Sequence, residues 1–141
     1  MTAALVQICS DPRLNHEVIR AQVAQKLERL GLRADRVFIL NEIGGNIGSN
    51  LRNTLELLVR RREPVVFAAV LHHDDCLAEQ EGMRVALPAS AGQLRSQLEG
   101  RDVTCPVLTG QIGTEHSDVV WTDEPRRQYE ALSFRMPRMF G

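Results

Sequence analysis

The chain has 141 residues, of which 43% are hydrophobic and 25% charged, and this balance predicts one globular domain over residues 1–141. A formal net charge of −1 and only 4% aromatic residues exclude the basic field and the stacking platforms of nucleic-acid-binding proteins. No apolar run approaches the roughly 20 residues of a membrane span, and the N-terminal stretch lacks the pattern of a signal peptide. We therefore expect a cytoplasmic protein that binds neither nucleic acid nor membranes.

The first half of the chain alternates predicted strands and helices. Residues 4–9 form an apolar run typical of a buried strand, and Asn15 then has the position of a helix N-cap. The helical stripe that follows ends at Gly31, and a second strand covers residues 37–40. The loop Gly44-Gly45-Asn46 either cradles an anion on its backbone N–H groups or simply turns the chain. A second helical stripe comprises Ile47, Leu51, Leu55 and Leu58.

The second half continues the same alternation. Residues 65–71 are the most apolar run of the chain and predict a central strand. A capping box at Ser90 predicts the start of a further helix, which ends at Gly100. Residues 103–108 predict a fourth strand, and residues 117–121 are a candidate fifth.

This alternation predicts an α/β fold with a mostly parallel sheet and helices on both faces. We expect the strand order 2-1-3-4, with the fifth strand antiparallel at the edge. In such a sheet the order reverses between strands one and three, and ligands gather at the carboxyl ends of the strands beside that reversal.

Three side chains with metal-binding chemistry fall at this point of the predicted sheet. Cys9 ends the first strand, and His73 and Cys76 follow the third. The chain has three cysteines, and thiols in a reducing compartment are more often ligands or reactive groups than disulfide partners. Two thiolates and one imidazole suit Zn²⁺, and three protein ligands leave the fourth position that catalytic zinc requires.

The strings around these ligands resemble the β-class carbonic anhydrases. That family has C-x-D-x-R after its first strand and H-x-x-C after its third, and this chain reads ICSDPR and VLHHDDC at those places. The resemblance covers residues 4–76 and, more loosely, residues 107–121. It implies a β-carbonic-anhydrase-like fold and the reversible hydration of carbon dioxide to bicarbonate by a zinc-bound hydroxide.

The same resemblance assigns roles to two residues beside the first ligand. Asp11 and Arg13 match the catalytic dyad of the family, in which the arginine holds the aspartate away from the metal and towards the reacting water. An ordinary loop salt bridge between the two side chains is the alternative. Because two thiolates already neutralise the charge of the metal, we expect activity to rise into the alkaline range.

The remaining histidines and the third cysteine receive simpler interpretations. His72 is adjacent to His73 and points to the opposite face of its strand, so we expect it to be a packed or hydrogen-bonded neighbour. His16 and His116 are interpreted as surface residues, and Cys105 as a small core residue.

The chain also departs from the family pattern. Leu77 stands where family members have glycine, and residues 40–45 lack the family's R-N-A-G string. The sequence starts almost at the first strand, so we expect it to lack the N-terminal helices of the family. The C-terminal arm at residues 122–141, which is apolar from Phe134 to Phe140, either packs on a partner subunit or docks on its own domain. We expect a homodimer or a higher homo-oligomer.

Three other functions remain open at the level of the sequence. The same zinc site could hydrolyse carbonyl sulfide or carbon disulfide. The altered residues could instead have left a non-catalytic, zinc-binding relative. Without zinc, Cys9 and Cys76 would form a redox pair.

Overall fold

The structure, a computed structural model, describes residues 1–124. Its five strands form one sheet in the order β2-β1-β3-β4-β5. The first four strands are parallel and β5 is antiparallel to β4, so the predicted α/β fold, order 2-1-3-4 and antiparallel edge strand are confirmed. The bounds are β1 (Ala3–Cys9), β2 (Arg36–Glu42), β3 (Val65–His73), β4 (Val107–Ile112) and β5 (Val119–Trp121).

Helices cover both faces of this sheet. They are α1 (His16–Arg29), α2 (Ser49–Arg60), the single turn α3 (Leu77–Gln80) and α4 (Leu87–Glu99), and a 3₁₀ turn lies at Ile43–Gly45. The apolar stripe of α1 packs on one face of the sheet, and those of α2 and α4 pack on the other. None of the helices in residues 1–124 is long and apolar enough to cross a membrane.

The central strand β1 is buried on both faces over its whole length, as a parallel strand between two helical layers should be. Its one polar side chain, Gln7, donates from Nε2 to the carbonyls of Ile8 (3.1 Å) and Leu40 (2.9 Å). Because β1 lies between β2 and β3, its last residue, Cys9, emerges at the reversal of strand order.

The predicted start of α4 was wrong. The helix begins at Leu87, and the N–H of Ser90 already bonds to the carbonyl of Ala86 at 2.9 Å. Pro88 lies in the first turn, where its missing N–H costs nothing because the first N–H groups of a helix have no intrahelical partner. Ser90 is therefore a buried residue inside the helix and not its cap.

The fourth strand was predicted several residues too early. Pro106 has no N–H to give to the sheet, and β4 begins one residue after it. Cys105 precedes the strand and is half-buried beside α4, so its assignment to a core strand was wrong. At the other end β4 continues through Gly110, where a Cβ would lie 2.8 Å from the carbonyl oxygen of Val120 and obstruct β5.

The predicted C-terminal arm, residues 122–141, lies outside the described residues from position 125 onward.

Candidate metal centre

Adjacent parallel strands bring the three candidate ligands together. Cys9 is the last residue of β1 and His73 the last of β3, and the two strands pair in register, with Gln7 opposite Val70. Cys76 follows after a tight turn in which Asp75 has a φ of 51°, a left-handed conformation that aspartate tolerates better than most residues. One ligand atom from each of Cys9, His73 and Cys76 lies within 4.8 Å of the other two, and all three residues are buried.

The imidazole of His73 is oriented for binding through one nitrogen. Its Nδ1 lies 2.6 Å from the carbonyl oxygen of Asp74, which fixes the tautomer with the proton on Nδ1. Its Nε2 is buried and has no hydrogen-bond partner among residues 1–124. A buried nitrogen without a partner is costly, and a bound cation would satisfy it.

This donor set fits a metal ion. Cys9 and Cys76 are buried free thiols, and with Nε2 of His73 they supply two sulfur ligands and one nitrogen ligand. Such a set is characteristic of zinc and leaves one of four tetrahedral positions open. Cys9, His73 and Cys76 could therefore bind a metal ion together.

Asp11 and Arg13 lie beside this cluster and contact each other through several hydrogen bonds. The guanidinium of Arg13 donates to the Asp11 carboxylate from Nε at 3.0 Å and from Nη2 at 2.7 Å, and the Arg13 N–H donates to Oδ1 at 2.9 Å. These hydrogen bonds lower the pKa of Asp11 to about 2. Oδ2 of Asp11 lies 3.9 Å from Nε2 of His73, so the ionised carboxylate borders the open side of the cluster.

Arg13 also connects the two parts of the chain that carry the ligands. Its Nη1 lies 3.1 Å from the Asp75 carboxylate, and its Nη2 donates to the Asp75 carbonyl at 3.0 Å. One guanidinium thus joins the loop after β1 to the turn between His73 and Cys76. The amide of Thr114 fixes the same turn from the other side, by donating to Oδ1 of Asp74 at 2.9 Å.

Sequence reasoning missed two further residues around the centre. Arg84 donates from Nη1 to the carbonyl of His73 at 2.9 Å, and Asn46 bonds to the main chain on both sides of Arg84. Arg84 lies outside every motif of the sequence, Asn46 lies in the loop Gly44-Gly45-Asn46 without a predicted role for its side chain, and the contacts join segments that are distant in sequence. Only the tertiary structure reveals them.

The other histidines lie apart from the cluster. His72 points to the opposite face of β3, where it is buried against Gly45, and burial lowers its pKa to about 4 so that the ring stays neutral. This placement agrees with its predicted role as a packed neighbour. His116 is exposed, as predicted, whereas His16 is partly buried at the start of α1.

A pocket of about 400 Å³ opens above the cluster. Cys9, Asp11 and His73 line it, and its rim includes three exposed apolar side chains, those of Ile43, Leu77 and Met83. The acidic groups of its lining are Asp11 and Glu81. The pocket therefore offers a small, mostly apolar approach to the candidate metal ligands.

Known structures share the fold of this chain. A carbonic anhydrase from Streptococcus mutans aligns with a TM-score of 0.50 and 16% identity, over 84% of this chain and 80% of that one. A structure from a study of two tetrameric β-carbonic anhydrases of the filamentous ascomycete Sordaria macrospora aligns with a TM-score of 0.52 and 13% identity, over 84% and 79%. At such identities the similarity is one of fold, and the chain has the fold of the β-carbonic anhydrases.

At the level of sequence, no protein-family model matches the chain and no curated protein matches it.

Proposed function

We propose that the chain is a zinc-dependent lyase that hydrates carbon dioxide reversibly to bicarbonate. The observation that carries the proposal is the convergence of Cys9, His73 and Cys76 within 4.8 Å at the carboxyl ends of two adjacent strands. The β-carbonic anhydrase fold and the ionised Asp11 beside the cluster support it.

Cys9, Nε2 of His73 and Cys76 would hold the ion, and their sulfur and nitrogen atoms match the ligands that zinc prefers. Bound zinc supplies the acidity that turns a water molecule into a nucleophile near neutral pH. The hydrogen bond from Nδ1 of His73 to the Asp74 carbonyl orients the ring and leaves Nε2 as the nitrogen available for binding.

Asp11 would orient the water that reacts. With a pKa of about 2 its carboxylate is ionised at every physiological pH, so it accepts a hydrogen bond from that water and cannot donate one. The planar guanidinium of Arg13 holds the carboxylate through hydrogen bonds from Nε and Nη2, and it thereby keeps Asp11 from taking the open ligand position.

The pocket suits an uncharged substrate and a charged product. Carbon dioxide is small and apolar, so it can pass over the apolar rim formed by Ile43, Leu77 and Met83. Bicarbonate is an anion, and the Glu81 carboxylate in the lining repels it. The electrostatics of the pocket therefore favour release of the product.

We further propose that the protein has a single domain, is cytoplasmic and forms a homodimer or a higher homo-oligomer. The enzymes of Sordaria macrospora that share its fold are tetrameric, and this supports an oligomer of the present chain. Sedimentation of the purified protein tests the oligomeric state.

Elemental analysis followed by stopped-flow hydration of carbon dioxide across pH tests the function. We expect about one zinc per chain and a rate that rises into the alkaline range, because the two thiolates already neutralise the ion. The variant Cys76→Ser should lose both zinc and activity, whereas Cys105→Ser, outside the cluster, should keep both. Zinc without turnover in the wild type would retain the metal centre and overturn the enzymatic function.

A further inference from the structure

The guanidinium of Arg84 lies next to the metal centre and is nearly buried. Its side chain is 11% exposed and has two partners, the carbonyl oxygen of His73 at 2.9 Å from Nη1 and the Glu79 carboxylate at 2.7 Å from Nη2. A guanidinium is planar and its N–H groups point in fixed directions. Its position therefore determines where the His73 carbonyl can lie.

A second residue fixes the position of Arg84 itself. Nδ2 of Asn46 donates to the carbonyl of Met83 at 2.8 Å, and Oδ1 of Asn46 accepts from the N–H of Val85 at 2.9 Å. One side-chain amide thus holds the main chain on both sides of Arg84. The loop Gly44-Gly45-Asn46 therefore holds another segment of the same chain, residues 83–85, through the Asn46 side chain.

Gly44 makes this close approach feasible. It has a φ of +70°, and a Cβ at this position would lie 3.2 Å from Cβ and 3.3 Å from Cα of Arg84. Both its conformation and the space beside it therefore favour glycine. The turn at Ile43–Gly45 and the segment that carries Arg84 are packed as one unit.

The carbonyl that Arg84 binds belongs to the peptide group that leads from His73 into Asp74. That group is planar, so fixing its oxygen also fixes the direction in which the chain leaves β3. The next carbonyl, that of Asp74, is the one that bonds Nδ1 of the His73 ring. A rotation of the first peptide group would therefore move the hydrogen bond that orients the imidazole.

We propose that Arg84 is a positioning residue that sets the geometry of the metal ligand His73, and that Asn46 holds Arg84 in place for this role. The inference rests on the metal centre of the proposed function and adds residues that do not contact the ion. It requires that the loss of Arg84 lower the affinity for Zn²⁺, whereas a comparable loss of stability elsewhere in the chain does not.

Arg101 provides a matched control. Like Arg84, it bonds one carboxylate, that of Glu56 at 3.0 Å, and one main-chain carbonyl, that of Gln97 at 3.0 Å, and it also donates to the side-chain Oε1 of Gln97 at 3.0 Å. It lies after α4 and before β4, at the end of the sheet opposite the metal centre. The variants Arg84→Met and Arg101→Met therefore each remove one contact to a carboxylate and one to a main-chain carbonyl, at opposite ends of the sheet.

The test measures the affinity of the full chain for Zn²⁺ by competition with a chromogenic chelator, together with the visible spectrum of the Co²⁺-loaded protein and the Tm without metal. We expect Arg84→Met to weaken Zn²⁺ binding by about 10–100-fold and to alter the Co²⁺ spectrum. Arg101→Met should lower the Tm and leave the affinity and the spectrum unchanged. Glu79→Gln should bind Zn²⁺ as the wild type does, because the bond to the His73 carbonyl remains.

Two further variants keep the test decisive if Arg84→Met does not fold. Arg84→Lys should recover part of the affinity, and Asn46→Ala should lower it while Arg84 is still present. Wild-type affinity in Arg84→Lys and Asn46→Ala, or an equal loss in Arg101→Met, would overturn the role of Arg84 and leave the proposed function intact. A wild-type protein that binds no Zn²⁺ would overturn the proposed function itself.

Discussion

At the scale of single residues, the candidate centre depends on how each ligand is held from outside. His73 is fixed through its ring by Asp74 and through its carbonyl by Arg84, and Arg13 contacts the turn before Cys76 through Asp75. Such outer contacts orient the ligands before the ion arrives, which reduces the cost of binding it.

The pair between Asp11 and Arg13 yields a prediction about activity. In Arg13→Met the Asp11 carboxylate is released 3.9 Å from Nε2 of His73 and becomes able to occupy the open ligand position. We expect the rate of carbon dioxide hydration to fall by about 10–100-fold with zinc still bound. Stopped-flow kinetics and elemental analysis on the same sample measure both quantities.

The control for this variant is Asp75→Asn, which weakens the second contact of Arg13 and leaves the pair with Asp11 intact. Its rate should remain close to that of the wild type. An Arg13→Met protein that hydrates carbon dioxide at the wild-type rate would remove Asp11 and Arg13 from the mechanism.

The third cysteine yields a prediction about thiol reactivity. Burial raises the pKa of Cys105 to about 11, and the thiolate is the reactive form, so this thiol should react very slowly at neutral pH. In chelator-treated protein we expect a chromogenic disulfide reagent to label Cys105 only as the pH approaches about 11.

The variant Cys105→Ser serves as the control, since it should leave the number of rapidly labelled thiols unchanged. Rapid labelling of Cys105 at neutral pH would contradict the effect of burial on its pKa.

The sequence sufficed to find the candidate ligands because their spacing coincides with the ends of strands. Cys9 ends an apolar run, and the segment from His73 to Cys76 follows another, so the sheet brings them together whatever the details of the loops. Arg84 and Asn46 could not be found in this way. Their contacts depend on the path of residues 83–85 over the glycine loop, which no local pattern encodes.

At the scale of elements, the helix caps show where local signals succeed. Asn15 was predicted as the N-cap of α1, and its Oδ1 accepts from the N–H groups of Glu17 (3.1 Å) and Val18 (3.2 Å). The cap satisfies two donors that have no partner within the helix. The signal works because the cap is contained within four consecutive residues.

This cap yields a prediction about stability. Asn15→Ala should lower the free energy of unfolding by about 1 kcal/mol, because the exposed donors of the first turn lose their acceptor. Asn15→Asp retains the acceptor and should unfold like the wild type. Urea unfolding of the three proteins measures the difference, and equal stability of Asn15→Ala and the wild type would contradict the role of the cap.

The errors at α4 and β4 share a physical cause. The capping signal at Ser90 was overridden because Pro88 and the preceding residues already form the first turn. The strand signal of residues 103–108 was overridden because Pro106 lacks a donor for the ladder. In both places a proline near the predicted boundary marks where the element actually begins.

At the scale of the whole molecule, the strand order could be predicted, but the contacts that join α1 to the segment after β5 could not. The alternation of strands and helices predicts a parallel sheet, and the order 2-1-3-4 is the arrangement in which the ligand-bearing strands are neighbours. The contact between α1 and the end of β5 is different, since it joins Lys26 to Asp123 and Glu124 across the molecule. No spacing rule connects residues so distant in sequence.

Lys26 yields a prediction about the pH dependence of stability. Its side chain is 3% exposed, its ammonium lies 2.8 Å from Asp123 and 3.0 Å from Glu124, and it stands 5.7 Å from the centre of the Trp121 ring. Burial opposes ionisation of Glu124, but hydrogen bonds from Lys26 and Arg29 outweigh it and lower the pKa of this carboxyl. The folded state therefore favours the ionised carboxylate.

Because the folded pKa of Glu124 is below that of the unfolded chain, the pair stabilises the fold above the ordinary glutamate pKa of about 4.3. This stabilisation is lost as the pH falls through the folded pKa. Lys26→Met should lower the free energy of unfolding by about 1–3 kcal/mol at neutral pH, and by less in acid.

Urea unfolding at neutral pH and below pH about 4 measures this difference. The control is Arg33→Met, which removes an exposed pair with Asp35 at 3.9 Å that contributes little. A loss of stability in Lys26→Met that is the same at both pH values would contradict the assigned role of Glu124.

The measurement that tests the metal centre most directly is the X-ray absorption spectrum of the purified protein at the zinc edge. Ligation by Cys9, His73 and Cys76 predicts two sulfur atoms at about 2.3 Å and lighter ligands, nitrogen and oxygen, at about 2.0–2.1 Å. A first shell without sulfur, or one made of sulfur alone, would contradict it.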